Sequence, residues 1–533
     1  MARLLLVMLG LLAFAAFAIS IMLPSLYAES RMTNRHGVRA ALAAVGMMLT
    51  GESVASTVPP TTIGVNLSAP SYYATTRALA NLASTANWGR SDHQSLSPDD
   101  VDKDGNIKRL SAGTSYYRLM TSPNVAARTA TIRCSWKGKG NLKPAGRRVQ
   151  NVSQSAGNFT FVMNNDQSEG HGGGNVMLIL TSVDPSDPIR DLDCREANLS
   201  AAARFDPQFL DTLRGFKILR FMDWQQSNLN APVTWATRHV PNGIDTTRGD
   251  GIAIEDMISL AKQAGADPWF SMPWNADDDY YEHFARMVHD SLPADRAVYV
   301  ELGNEVWNYA FRVAAQAKRE GIAEGLAPNS PNQAGLLRYA ERLASVMDIW
   351  KKVFADRPGR LVRVAACQNG DWCAKTVLGF KDTAHHVDAL ATAPYFGGPL
   401  NRMVFTNADD LFAALDGDVD RTLNTALQAK AVATHYGKRY IAYEGGQHLI
   451  IKDAAFARQI QRDPRMYDAY KKYLEFWRTR IGDTLMLYNS SGAISRYGAW
   501  GLVEYAGQPL SEAPKMRAVR EELTTLQGGK ATH

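Results

Sequence analysis

Cysteine is scarce in this chain, with four among 533 residues. None forms a C-x2-C pair or sits beside a histidine cluster, which argues against a structural zinc site. There is no long Lys/Arg block: the basic residues are scattered and the formal net charge is only +5, so nothing points to nucleic acid as a partner. No Gly-x-Gly-x-x-Gly follows an early strand pattern, which removes the dinucleotide-binding signature. The HGGGN run at His171 to Asn175 lacks the following helix and the Lys-Ser/Thr ending of a phosphate loop, and reads as a turn between strands. Internal repeats and low-complexity segments are missing as well. What remains is a globular composition, 45% hydrophobic and 21% charged, in a chain long enough for two folded units.

One long hydrophobic run does occur. Leu4 to Leu23 is apolar for about twenty residues, the length of a bilayer span. A second export-like pattern follows it at once. Met32 to Arg39 is basic, Ala40 to Leu49 is apolar, and Ser53-Val54-Ala55 has the small-x-small form of a cleavage site. Two readings stand: a signal peptide over 32–55, with translation starting at Met32 and a mature end near Ser56, or an N-terminal anchor ending near Pro24. Either places the body of the protein outside the cytoplasm, secreted or in the periplasm and cell envelope. Membrane contact is then expected only through such an anchor. In an oxidising compartment Cys134–Cys194 and Cys367–Cys373 are the economical pairs among three connectivities, with four buried thiols as the alternative.

The texture of the chain changes twice. Ile63 to Leu67 reads as a buried strand and Tyr73 to Ala86 as a helix, giving a first unit over 56–106. Short runs such as TATIRCSW, NFTFVM and NVMLILTSV, separated by Gly-, Asn- and Ser-rich turns, then predict a small all-β, sandwich-like module over 107–200. From 201 to 525 strands and helices alternate. The expected strands are 218–222, 268–272, 298–302, 361–365, 389–393, 439–443 and 484–488, which with 63–67 make eight. Eight strands with intervening helices predict an α/β fold, a (β/α)8 TIM barrel interrupted after its first strand by the β module.

Barrels of this type carry their chemistry at the C-terminal ends of the strands. The fourth expected strand runs into Glu301-Leu302-Gly303-Asn304-Glu305 and the seventh into Tyr443-Glu444-Gly445-Gly446. Two carboxylates that a barrel can bring face to face suit glycosidic cleavage, where one protonates the leaving oxygen and the other attacks carbon or activates water. This arrangement resembles glycoside hydrolase clan A, the retaining barrel enzymes that include cellulases and mannanases, over about 63–90 and 205–510, without selecting one family.

The resemblance implies a retaining glycosidase acting on a polysaccharide or oligosaccharide, with Glu305 as acid/base and Glu444 as nucleophile. It implies Asn304 as partner of the sugar 2-hydroxyl, Tyr395 as hydrogen-bond donor to the nucleophile, Trp500 as a stacking platform and Arg220 beside the nucleophile. It calls for no metal or organic cofactor. Outside the clan pattern, Trp224 and Trp274 are expected to stack on sugars and Asp223 or Asn275 to bond hydroxyls. Glu301 is expected to be structural, and Asp277 to Asp279 to form an acidic first helical turn. A different class stays open: a non-catalytic carbohydrate-binding or matrix protein on the same barrel.

Overall fold

The computed structural model describes residues 58–528 apart from 103, 122–127, 165–173 and 242–250. The export region and most of the HGGGN run lie outside the described residues. Eight strands form one closed sheet: β1 Thr62–Asn66, β2 Ile218–Arg220, β3 Asp267–Met272, β4 Val298–Leu302, β5 Leu361–Ala366, β6 Ala389–Thr392, β7 Arg439–Ala442 and β8 Thr484–Leu487. They neighbour one another in chain order, and β8 returns to β1 with Gly64 opposite Met486. Every pairing around the ring is parallel. This is the (β/α)8 barrel expected from the alternation of strands and helices.

The two-residue period of a strand decides what fills the ring. Ile218, Trp269, Tyr299, Val364, Ala391, Ile441 and Met486 form one buried cluster inside it. Trp269 stacks on Tyr299 with ring centroids 5.1 Å apart. Gly64 belongs here for want of a side chain, because a Cβ would lie 2.3 Å from the Met486 sulfur. Two residues further along the same faces, Asn66, Arg220, Ser271, Glu301 and Tyr443 replace the apolar layer with a buried polar one. A register slip of one residue in any of these strands would exchange both layers for the outer face.

The outward strand faces carry Val65, Leu219, Phe270, Val300 and Leu390, which pack under the helices in the main core. Helix Asp278–Ser291 shows the local logic. Asp277 caps it by accepting from the Tyr280 amide at 2.9 Å, and Asp278 and Asp279 sit in the first turn, as expected. Tyr281, Phe284, Ala285 and Val288 recur at helical spacing and are buried. Each fully buried side chain of that size contributes about 1.5–3 kcal/mol. Losing the Asp277 cap would cost about 1 kcal/mol. Among the described residues no helix is long and apolar enough to cross a membrane.

The segment between β1 and β2 builds two four-stranded antiparallel sheets. One has the order Trp88–Arg90, Tyr116–Thr121, Val176–Val183, Gly140–Ala145; the other Val149–Ser155, Asn158–Met163, Ala130–Lys137, Arg190–Glu196. They share a core of their own, including Trp88, Tyr116, Phe159 and Leu178. Cys134 lies directly opposite Cys194 and is disulfide-bonded to it, and Cys367 is bonded to Cys373. Arg128 ties module to barrel by pairing with both Glu196 and Asp206.

One expected element is absent. Residues 73–86 form turns and a short 3-10 turn, Leu82–Thr85, rather than a helix. Asn81 accounts for this. Its side chain accepts from the Ala83 and Cys194 amides and donates to the Leu192 carbonyl, fastening the segment to the module. Such tertiary contacts outweigh helix propensity.

Candidate active site

Arg220, the last residue of β2, organises the polar layer at the C-terminal end of the ring. Its Nη1 donates to Glu444 Oε1 at 2.6 Å and to Asn66 Oδ1 at 2.8 Å. Nη2 donates to Asn304 Oδ1 at 2.8 Å, and Nε to Glu301 Oε1 at 2.8 Å. Ser271, across the β3–β4 register, donates to the same Glu301 oxygen. Burial works against charge on this guanidinium, but Glu301 and Glu444 together hold its pKa above the ordinary arginine value. Glu301 is driven up by burial, with Arg220 and Ser271 opposing. It is fully buried and pairs with arginine, in keeping with a structural acid.

Glu444 stands two residues past the end of β7. Its second oxygen accepts from the Tyr395 hydroxyl at 2.8 Å. Burial and the charge of Glu444 hold the Tyr395 phenol well above its usual value, so it stays a donor. Around this pair runs a ring of edge-on aromatic contacts: Tyr395 with His448 and with Tyr488, and Trp500 with both. Gly498 leaves space for Trp500, since a Cβ there would lie 2.2 Å from the indole ring.

Glu305 follows β4 through Gly303 and Asn304, and its own backbone is left-handed at φ 46°. That conformation is uncommon for a residue with a side chain and is costly unless its surroundings enforce it. Here Asn308 Nδ2 donates to Glu305 Oε2 at 2.7 Å and the Tyr443 hydroxyl donates to Oε1 at 3.2 Å. Trp307 Nε1 donates in turn to the Tyr443 oxygen at 3.1 Å. Burial first, and the Glu444 charge second, push the Glu305 carboxyl up to about 8. A third acid, Asp223, is pushed up to about 7 by burial and by Glu444, with the Tyr488 hydroxyl 3.5 Å from its Oδ2.

The sequence-derived residues divide under this geometry. Arg220, Glu444, Asn304 and Tyr395 are joined in one hydrogen-bonded cluster. Glu305 is held apart from them by Asn308 and Tyr443, and Trp500 borders the aromatic ring around Tyr395. Arg220 is fully buried, so it offers no surface to a ligand, and its neighbours Glu444 and Asn304 are the groups it orients. Trp224 corrects the expectation of a sugar platform. It too is fully buried, packed among Phe205, Phe209 and Phe221, and donates to the Ser68 carbonyl at 2.9 Å. Trp274 is likewise a core residue, 2% exposed, with Arg342 over its ring. Asn275 clasps neighbouring loops, donating to the Asn230 carbonyl and accepting from Gln316 at 2.6 Å. Trp224 follows the end of β2 by four residues and Trp274 the end of β3 by two, but their side chains pack in the main core beneath the helices.

Asn66, Ser271, Tyr443, Tyr488 and Asn308 were not anticipated. The signal was positional: Asn66 ends β1, while Tyr443 and Tyr488 stand one residue beyond β7 and β8.

No family model matches the chain, and no curated protein matches it in sequence. Among solved structures it is similar to the α-L-arabinofuranosidase of Thermotoga maritima, at 12% identity and TM-score 0.36, covering 53% of this chain and 57% of that one. It is similar also to an endo-β-1,4-mannanase of Thermotoga petrophila, at 13% identity and TM-score 0.34, covering 61% of this chain and 73% of that one. A third is the β-glucosidase of Thermotoga maritima, at 12% identity and TM-score 0.33, covering 59% and 84%. The chain thus spans about three-fifths of the length of the arabinofuranosidase. Likeness at this level says nothing about activity, and the barrel itself is evident from strand pairing.

Proposed function

We propose that the chain is a retaining glycoside hydrolase acting on a polysaccharide or oligosaccharide. The observation that supports this reading best is the unequal treatment of two buried carboxyls at the ends of β4 and β7. Glu305 is raised to about 8 and so keeps its proton at neutral pH. Glu444 is gripped through both oxygens by Arg220 and Tyr395, which fixes its direction. A carboxyl that burial keeps protonated suits a proton donor, and one oriented by an arginine and a tyrosine suits a nucleophile.

In the first step the Glu305 proton passes to the glycosidic oxygen as a Glu444 oxygen attacks the anomeric carbon. The bond to the leaving sugar breaks, and a glycosyl ester forms on Glu444. Ester formation removes the Glu444 charge, which is the second cause of the raised Glu305 value, so the Glu305 carboxylate formed by proton donation loses that repulsion. It then takes a proton from water as the water oxygen attacks the anomeric carbon and the ester bond to Glu444 breaks. The sugar leaves with its configuration retained, and both carboxyls return to their starting forms. Asn304 keeps an Nδ2 hydrogen beyond the one given to Asn228, available for a sugar hydroxyl.

Turnover of aryl glycosides by wild type, Glu305→Gln and Glu444→Gln tests this directly, with the anomer of the first product read by proton NMR. Glu444→Gln should lower kcat by at least about 10³-fold, because an amide cannot form the ester. Glu305→Gln should spare activated aryl leaving groups far more than alkyl ones. Equal rates in all three proteins would mean that other residues do the chemistry, and an inverted first product would exclude double displacement. Polysaccharide binding with no turnover in any of them would favour the non-catalytic binder.

A further inference from the structure

A concave site lies at the same C-terminal end of the ring as the proposed catalytic centre, where the loop after β1 meets the module. It is a cavity of about 330 Å³, at the small end of the range of about 300–1,000 Å³ for ligand pockets. Strand Tyr116–Thr121 explains its wall. Tyr116, Arg118 and Met120 point into the module core, so by the strand period Tyr117 and Leu119 point out into the cavity. Tyr117 lies across Gly89, its cross-strand partner, where an added Cβ would be 2.6 Å from the ring. Tyr72 and Tyr73 face it from the β1 loop, which is anchored to the module by the Tyr72 amide donating to the Thr85 carbonyl at 3.0 Å. Tyr73 is 58% exposed.

Among the described residues the lining contains no Asp, Glu, Lys, Arg or His. Its polar side chains are the tyrosines, Ser71, Trp88, Asn87 and Gln226, which offer donors and acceptors without charge. Gln226 also joins this cavity to the centre. Its side chain donates to the Asp223 carbonyl at 2.8 Å, and the Asp223 carboxyl neighbours Tyr488 within the aromatic ring around Glu444. Apolar ring faces bordered by neutral hydrogen-bonding groups match a pyranose or furanose unit, with its C–H face and rim of hydroxyls.

We propose that this cavity is a second saccharide site, holding uncharged sugar units of a chain whose scissile bond lies at Glu305 and Glu444. The class of ligand rests on the glycosidase reading; the site itself belongs to the module and the β1 loop. It makes the protein an enzyme of polymers rather than of short glycosides, and gives the module the task of gripping chain beyond the cleavage point.

The test is native affinity electrophoresis of the full chain carrying Glu444→Gln, in gels containing hydroxyethylcellulose, glucomannan, arabinan or a β-1,3-glucan, with polygalacturonate as the charged control. At least one neutral polymer should retard the protein. Adding Tyr73→Ala, which removes an exposed ring, or Gly89→Ala, which drives Tyr117 into the cavity, should each weaken that retardation about tenfold in apparent Kd. Unchanged thermal unfolding of the Tyr73 variant shows that the fold is intact. Retardation untouched by both substitutions, retardation by polygalacturonate alone, or no retardation in any gel would overturn the site. Aryl glycoside turnover by wild type reads the proposed chemistry separately. Turnover without cavity-dependent retardation removes this site and leaves the enzyme, and retardation without turnover does the reverse.

Discussion

Tyr443, the residue immediately before Glu444, donates its hydroxyl hydrogen to Glu305 at 3.2 Å. One strand end therefore carries the proposed nucleophile and also steadies the proposed acid on the far side of the ring. That hydrogen bond lowers the Glu305 pKa against the larger effects of burial and Glu444. Tyr443→Phe should move the alkaline limb of the kcat/KM profile upward from about 8, by about half to one pH unit. A limb that stays in place or moves down would show that Tyr443 does not bond Glu305 in solution.

The raised carboxyls also set the direction of the stability profile. The folded chain keeps the Glu305 proton up to about 8, while the unfolded chain releases it near the ordinary value of 4.5. Stability from this group is complete below 4.5 and declines as pH climbs to about 8. Asp223 acts in the same sense between 3.8 and about 7. Glu305→Gln, which cannot titrate, should gain on wild type with rising pH, so that its Tm advantage is larger at pH 8 than at pH 4.5 by about 2 °C or more. Melting curves at the two pH values decide it; a constant difference would mean that Glu305 titrates normally.

Arg220 neutralises two carboxylates from inside the ring. Arg220→Met should destabilise by about 3–5 kcal/mol, because Glu301 is left buried without its cation. The double variant Arg220→Met/Glu301→Gln should recover about 1–2 kcal/mol of that loss, the coupling expected of groups in contact. Urea unfolding of the single and double variants measures the difference, and strict additivity would place the penalty elsewhere.

The two disulfides close loops of different size. Cys134–Cys194 spans 60 residues and Cys367–Cys373 spans 6. Loop-closure entropy then predicts a loss of about 4 kcal/mol for Cys134→Ala/Cys194→Ala and about 2 kcal/mol for Cys367→Ala/Cys373→Ala. Chemical unfolding of the two variants should rank them in that order. The reverse ranking would mean that local packing at Cys367 outweighs chain entropy.

The barrel was legible because its strands are short apolar runs alternating with amphipathic helices, and β4 falls on the residues expected, Val298–Leu302. The sheet that opens the module was harder to read. Trp88–Arg90 lies well before the change of texture expected at 107, is three residues long, and gains its strand character only by pairing with Tyr116–Thr121. At the site, Glu305 and Glu444 were visible as carboxylates at strand ends, whereas Arg220 came only from the clan resemblance and fell inside the strand expected over 218–222, which in fact ends at it. Trp224 and Trp274 stand at similar offsets yet belong to the core, since beyond a strand end the alternation that tells inside from outside no longer holds. Asn66 was passed over as an ordinary polar residue, because its three hydrogen bonds go to segments distant in the chain.

The ring is closed by β1 against β8, and Asn66 reaches a carbonyl 421 residues away at Leu487. During synthesis β1 emerges first and its final neighbour among the last, with the whole module made in between. A growing chain thus carries an unpaired strand edge through most of translation, while the module, with its own core and its own disulfide, is free to consolidate early. The residues around Glu444 acquire their geometry only when the last strand docks. A polypeptide arrested before β8 would hold Arg220, Glu301 and Glu305 but lack Tyr488 and Trp500, so on the proposed reading activity would await the last strand.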